Sequence, residues 1–157
     1  MQTAVARWVG ILFVALSLQS ASADSTQVTT TNATSDHIAI QGYDVVAYFT
    51  DGKATKGDPS YEMPFDDVKW QFANASHKEM FAADPDRYLP QYGGMCAGGM
   101  AMGVSVPANP DNWVIVDGKL YMVSGGAADL ADWKAHAAEN IKAADKIWAR
   151  KSNASTP

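Results

Sequence analysis

Apolar and polar positions alternate most clearly at Val68, Trp70 and Phe72 against Lys69 and Gln71, which predicts a strand with one buried face. Ser60–Phe65 precedes it across Asp66-Asp67, so the two runs form a hairpin. A second hairpin is predicted from Trp113–Val116 and Lys119–Val123 around Asp117-Gly118, the dipeptide that best suits a tight primed turn. The helical period appears at Leu130, Trp133, Ala137, Ile141, Ala144 and Trp148, an amphipathic stripe predicting one long helix from about Ala128 to Arg150. Shorter helical turns are expected after Asp44, which can cap Val45–Phe49, and at Asp84-Pro85. Ser76 and Glu79 have capping-box spacing for a helix ending near Ala83. No internal repeat is visible. The expected class is α+β: a small antiparallel sheet built from two β-hairpins, short helices and a long C-terminal amphipathic helix.

Both ends fall outside this pattern. Arg7, the apolar run Trp8–Leu18 and the small residues Ala21-Ser22-Ala23 have the layout of a signal peptide spanning residues 1–23. The run is about half the ~20 apolar residues a membrane helix needs, so no membrane span is expected after cleavage. Residues 24–36 are rich in Thr and Ser and read as a flexible polar leader, and 152–157 as a loose tail, leaving 37–151 as one domain. The expected location is periplasmic or secreted. Asn32, Asn74 and Asn153 each sit in an Asn-x-Ser/Thr triplet.

The 157 residues carry a formal charge of −5, which becomes −6 once Arg7 leaves with the leader. With no Lys/Arg cluster, nucleic acid and anionic membranes are not expected partners. One cysteine cannot close a disulfide within the chain. Cys96 therefore reads as a small apolar core residue, an intermolecular link or a functional thiol.

Cys96 lies in Tyr92-Gly93-Gly94-Met95-Cys96-Ala97-Gly98-Gly99-Met100-Ala101-Met102-Gly103, which holds five of the twelve glycines and three of the seven methionines. Thiolate and thioether sulfurs select Cu(I), and imidazole suits either copper state. Cys96, Met95, Met100 and Met102, with His77 from a neighbouring element, thus make a candidate copper site; Cys96 and Met100 would share a helix face. The competing reading is that methionines fill gaps in a core. A nucleophilic Cys96 would need a base within hydrogen-bond reach, and His37, His77 and His136 are the candidates. The tyrosines and tryptophans could line a small-molecule cleft or build the core. Asp44 could reach Cys96 or simply cap its helix. No phosphate loop, His-Glu-x-x-His, Gly-x-Ser-x-Gly or Cys-x-x-Cys occurs, so a non-enzymatic role is favoured.

Several of these segments together resemble the YHS domain family: Gly42-Tyr43-Asp44-Val45-Val46-Ala47-Tyr48-Phe49, Trp70-Gln71-Phe72, Phe81, Asp84-Pro85-Asp86-Arg87-Tyr88, Pro90-Gln91-Tyr92-Gly93-Gly94-Met95-Cys96-Ala97, and Trp113 with Asp117-Gly118-Lys119-Leu120-Tyr121. The resemblance covers about residues 38–150. It implies a small domain, found alone in exported proteins and attached to heavy-metal transporters and multicomponent oxygenases, that binds a metal ion, copper or zinc; the expected role is metal handling, with a metal-transport or redox protein as a candidate partner. The metal-binding branch of that family reads Phe-Cys-Ser-x-x-Cys where this chain has Phe72-Ala73-Asn74-Ala75-Ser76-His77. A cysteine-rich zinc site is therefore not implied, and the expected ligand is a copper ion at Cys96 and its neighbours. The alternative is a non-metal small-molecule or protein binding module that uses the same loop.

Overall fold

The computed structural model describes residues 32–154; the signal-peptide segment, most of the polar leader and the last three residues lie outside the described residues. The chain has an α+β fold. Its first part contains a 3-10 turn at Ile40–Gly42, α1 (Ala47–Thr50), the hairpin β1 (Asp58–Phe65) and β2 (Val68–Phe72), α2 (Ala75–Ala83) and α3 (Pro85–Tyr88). The second contains a 3-10 turn at Gln91–Gly94, α4 (Ala97–Ala101), the hairpin β3 (Asn109–Val116) and β4 (Lys119–Val123), α5 (Ala127–Ala135) and α6 (Ala137–Ala154). The two hairpins remain separate two-stranded antiparallel sheets. The core between the elements includes Tyr48, Phe72, Phe81, Met100, Leu120 and Met122. Each such side chain contributes about 1.5–3 kcal/mol when removed from water.

The expectation of no internal repeat is overturned. The second part repeats the first element by element, 50 to 52 positions later. Three consecutive left-handed residues open each half, Ile40, Gln41 and Gly42 (φ 48°, 53° and 79°) and then Tyr92, Gly93 and Gly94 (φ 57°, 63° and 74°). Tyr43 bridges Lys56 as Met95 bridges Pro107, and Ile38 bridges Lys69 as Pro90 bridges Leu120. The Asp44 N–H donates to the Thr55 carbonyl at 2.8 Å, and the Cys96 N–H to the Val106 carbonyl at 2.9 Å. Both hairpins turn through left-handed pairs, Asp66-Asp67 and Asp117-Gly118, and both shift register near their open ends, between Asp58 and Glu62 and between Asn109 and Trp113. Asp44 and Cys96 are therefore twins, as are Tyr48 and Met100, and Phe81 and Trp133.

Other differences from the sequence reading have local causes. Helix α2 starts at Ala75 because the Asn74 side chain accepts the His77 N–H at 2.9 Å, so Asn74 caps it rather than Ser76. The expected long helix is two. His136 leaves the helical backbone (φ −120°, ψ 23°), and the Asn140 side-chain amide donates to the Trp133 carbonyl at 3.4 Å. Helix α6 runs to Ala154, into the segment expected to be a loose tail. The ordered chain also starts before residue 37: buried Asn32 donates through its backbone to the Gly93 carbonyl and through its side chain to the Gly94 and Ala108 carbonyls. No described helix is long and apolar enough to cross a membrane.

Candidate functional site

The left-handed turn at Gln91–Gly94 reverses the chain into Cys96. A side chain at Gly94 would run into Ile40, so both its backbone angle and its surroundings require glycine. Cys96 then caps α4. Its sulfur accepts the Gly99 N–H at 3.3 Å, the Ser124 N–H at 3.2 Å and the Ser124 hydroxyl at 3.1 Å. Burial alone would push the thiol pKa up, but the Ser124 hydroxyl and N–H, with the Gly99 and Gly98 N–H groups, outweigh it and hold the thiol below its ordinary value. The residue that carries this sulfur is only 4% exposed.

That sulfur lies on the wall of a cleft of about 500 Å³. Gly98, Met102, Ser124, Asp129, Asp132 and Trp133 share the wall, and none of the described lining residues is basic. Trp133 is 3% exposed, and its indole Nε1–H is buried with no hydrogen-bond partner among the described residues. Such an orphan costs roughly 1–3 kcal/mol. The pyrrole edge of Trp133 faces Gly98: a methyl group there would sit 3.5 Å from Trp133 Cδ1 and 3.9 Å from Cys96 Sγ.

The five candidate metal ligands differ in exposure and in hydrogen-bond partners. Cys96 and Met102, 77% exposed, share the cleft. Met100 does not share an accessible face with Cys96; it is fully buried in the core, and Met95 is half-buried against that core. His77 is held elsewhere. Its Nδ1 lies 2.6 Å from Asp44 Oδ2, and its Nε2 3.4 Å from Thr50 Oγ1 and 3.8 Å from Asp51 Oδ1. Among the described residues no three His, Cys, Asp or Glu side chains are placed to share a metal ion. No histidine is bonded to the Cys96 sulfur either; His37 and His136 are exposed. Asp44 is a cap, accepting the Val46 and Ala47 N–H groups, and its second oxygen takes the Ala73 N–H at 2.8 Å rather than approaching Cys96.

The twin relation explains why a cleft exists in one half. Ala73 N–H reaches Asp44 as Ser124 N–H reaches Cys96. In the first half His77, third residue of α2, fills the space beside the cap with its imidazole. The third residue of α5 is Asp129, whose carboxylate turns back to the Gly126 N–H at 2.8 Å. Gly98 stands where the first half has Val46. The site beside Cys96 is thus left open. Ser124, Asp129 and the indole nitrogen of Trp133 were not singled out as site residues; the 51–52 residue spacing from Ala73, His77 and Phe81 is the signal that points to them.

Comparison with protein-family profiles, curated proteins and solved structures gave no match.

Proposed function

We propose that this chain is a YHS-like binding module, not an enzyme, whose second half takes a small ligand in the cleft beside Cys96. One observation carries the reading: Cys96, whose sulfur accepts hydrogen bonds from Ser124 and Gly99, lies on the wall of a cleft that no described side chain fills. Open concave sites with a few placed polar groups are where small ligands bind. Neither a bonded histidine nor a second activated group accompanies the sulfur, which favours binding over nucleophilic turnover. The test is alkylation of Cys96 by iodoacetamide in the native protein. The reading requires labelling below the pH at which a free thiol reacts, and slower labelling in Gly98→Val, whose side chain would enter the cleft. Labelling that requires global unfolding contradicts it.

A second reading rests on Met102, whose exposed thioether shares the wall with Cys96. Two soft sulfurs suit Cu(I), and an exported module that holds it would serve metal handling with a transport or redox partner. Anaerobic Cu(I) titration of the native chain, Cys96→Ser, Met102→Leu and Met100→Leu tests this. Stoichiometric binding lost in Cys96→Ser, weakened in Met102→Leu and retained in Met100→Leu supports it. Identical titrations of all four contradict it.

A further inference from the structure

We infer that the ligand of the Cys96 cleft is an azole, an imidazole-type ring that offers a ring-nitrogen acceptor to Trp133 Nε1–H and an N–H donor to the acidic wall. This rests on the binding-cleft reading above. The first argument is the twin site. Beside Asp44 the fold already encloses an imidazole, that of His77, with one ring nitrogen on the capping side chain and the other turned toward Thr50 and Asp51. Beside Cys96 the same position in the fold has no such ring, because Asp129 replaces His77 and bonds backbone instead.

Trp133 supplies the second, independent argument. It is almost wholly buried, it lines the cleft, and its indole nitrogen has no partner among the described residues. The twin residue Phe81 packs with no polar atom at all, so packing does not call for that nitrogen. A buried donor left unpaired at the wall of an open site points to an acceptor carried by the ligand. The opposite requirement comes from Cys96, Asp129 and Asp132, which supply acceptors; none of the described lining residues is basic, and His136 Nδ1 lies 3.9 Å from Asp132 Oδ1. A neutral azole satisfies both, because one ring nitrogen accepts while the other donates. A simple ammonium ion would answer the acidic wall but leave the indole unpaired. An anion would answer the indole and be repelled by the wall.

The probe is imidazole itself, added to the native chain at pH 8, where the ring is mostly neutral. The readout is the ¹H–¹⁵N resonance of the Trp133 indole, assigned by its loss in Trp133→Phe. Saturable movement of that resonance, with protection of Cys96 from iodoacetamide, is expected. Methylammonium should move neither. Gly98→Val should abolish both effects, and in Trp133→Phe the imidazole affinity read from Cys96 protection should fall about fivefold to tenfold, the loss of one hydrogen bond. An indole resonance that does not respond to imidazole, while Gly98→Val still slows alkylation, overturns the azole assignment and leaves the cleft. Unchanged imidazole binding in Gly98→Val overturns the assignment by removing the site from this cleft.

Discussion

Replacing His77 by alanine removes the imidazole that closes the first half-site, and the consequence can be worked from its contacts. The ring Nδ1–H donates to a fully buried carboxylate at 2.6 Å. A hydrogen bond to a charged group contributes about 1.5–3 kcal/mol. Asp44 keeps three backbone donors, from Val46, Ala47 and Ala73, so the carboxylate is not stranded and the larger penalty for an unpaired buried charge is not reached. Loss of the packed ring adds about 1–2 kcal/mol for the void. The sum is about 2.5–5 kcal/mol, a large share of the ~5–15 kcal/mol that holds a domain together. Urea unfolding followed by tryptophan fluorescence measures it, with His136→Ala as the exposed control expected to change little. Imidazole added to His77→Ala should restore part of the loss, since it can re-enter the vacated site beside Asp44. A loss below about 1 kcal/mol would refute the reasoning, because it would mean that neither the carboxylate bond nor the packing of His77 counts.

Three further outcomes follow from other contacts. The folded thiol of Cys96 is held below its ordinary value, so its contribution is present above the unfolded pKa of about 8.5 and is lost as pH falls through the lower folded value. The stability gap between the native chain and Cys96→Ala should therefore widen from pH 6 to pH 9 in urea titrations; a constant gap would contradict the hydrogen-bonded thiolate. The hydroxyls of Tyr48 and Tyr92 are held well above the usual tyrosine range, chiefly by burial and then, for Tyr92, by its bond to Asp145. Their stabilisation is complete below about pH 10 and is lost as pH rises beyond it, so alkaline unfolding should begin there and shift upward in Tyr48→Phe. Asn32→Ala leaves the buried Gly94 carbonyl without a donor, and the Ala108 carbonyl with only the Gln41 amide at 3.4 Å, and should cost about 1–3 kcal/mol, read as a fall in urea midpoint; no change would place Asn32 outside the fold.

Parts of this architecture are legible in the sequence because local chemistry fixes them. Asp117-Gly118 marks its hairpin through the left-handed backbone that residue pair tolerates, and Asp44 marks a cap through its short acceptor side chain. The duplication is hidden because twin positions share a backbone task and not a side chain. Ile40 and Tyr92 both adopt positive φ, an unusual conformation for either, and only Gly42 and Gly94 betray the shared geometry. Asp44 and Cys96 carry out the same capping with oxygen and sulfur. The break at His136 is equally silent: neither glycine nor proline marks it, and the three-four spacing of Trp133, Ala137 and Ile141 continues across it. In the candidate site, the glycine spacing marks the left-handed turn through Gly93 and Gly94 that leads into Cys96. Which sulfurs face outward depends on α4 burying Met100 and exposing Met102, a matter of tertiary packing.

The most direct measurement of the central claim is the pH profile of iodoacetamide alkylation of Cys96 in the folded chain, compared with Gly98→Val of equal urea stability. Labelling with a midpoint below that of a free thiol, slowed in Gly98→Val, is the expected result. Labelling that tracks global unfolding in both proteins would contradict it, making Cys96 a sealed core residue and the cleft beside it empty of purpose.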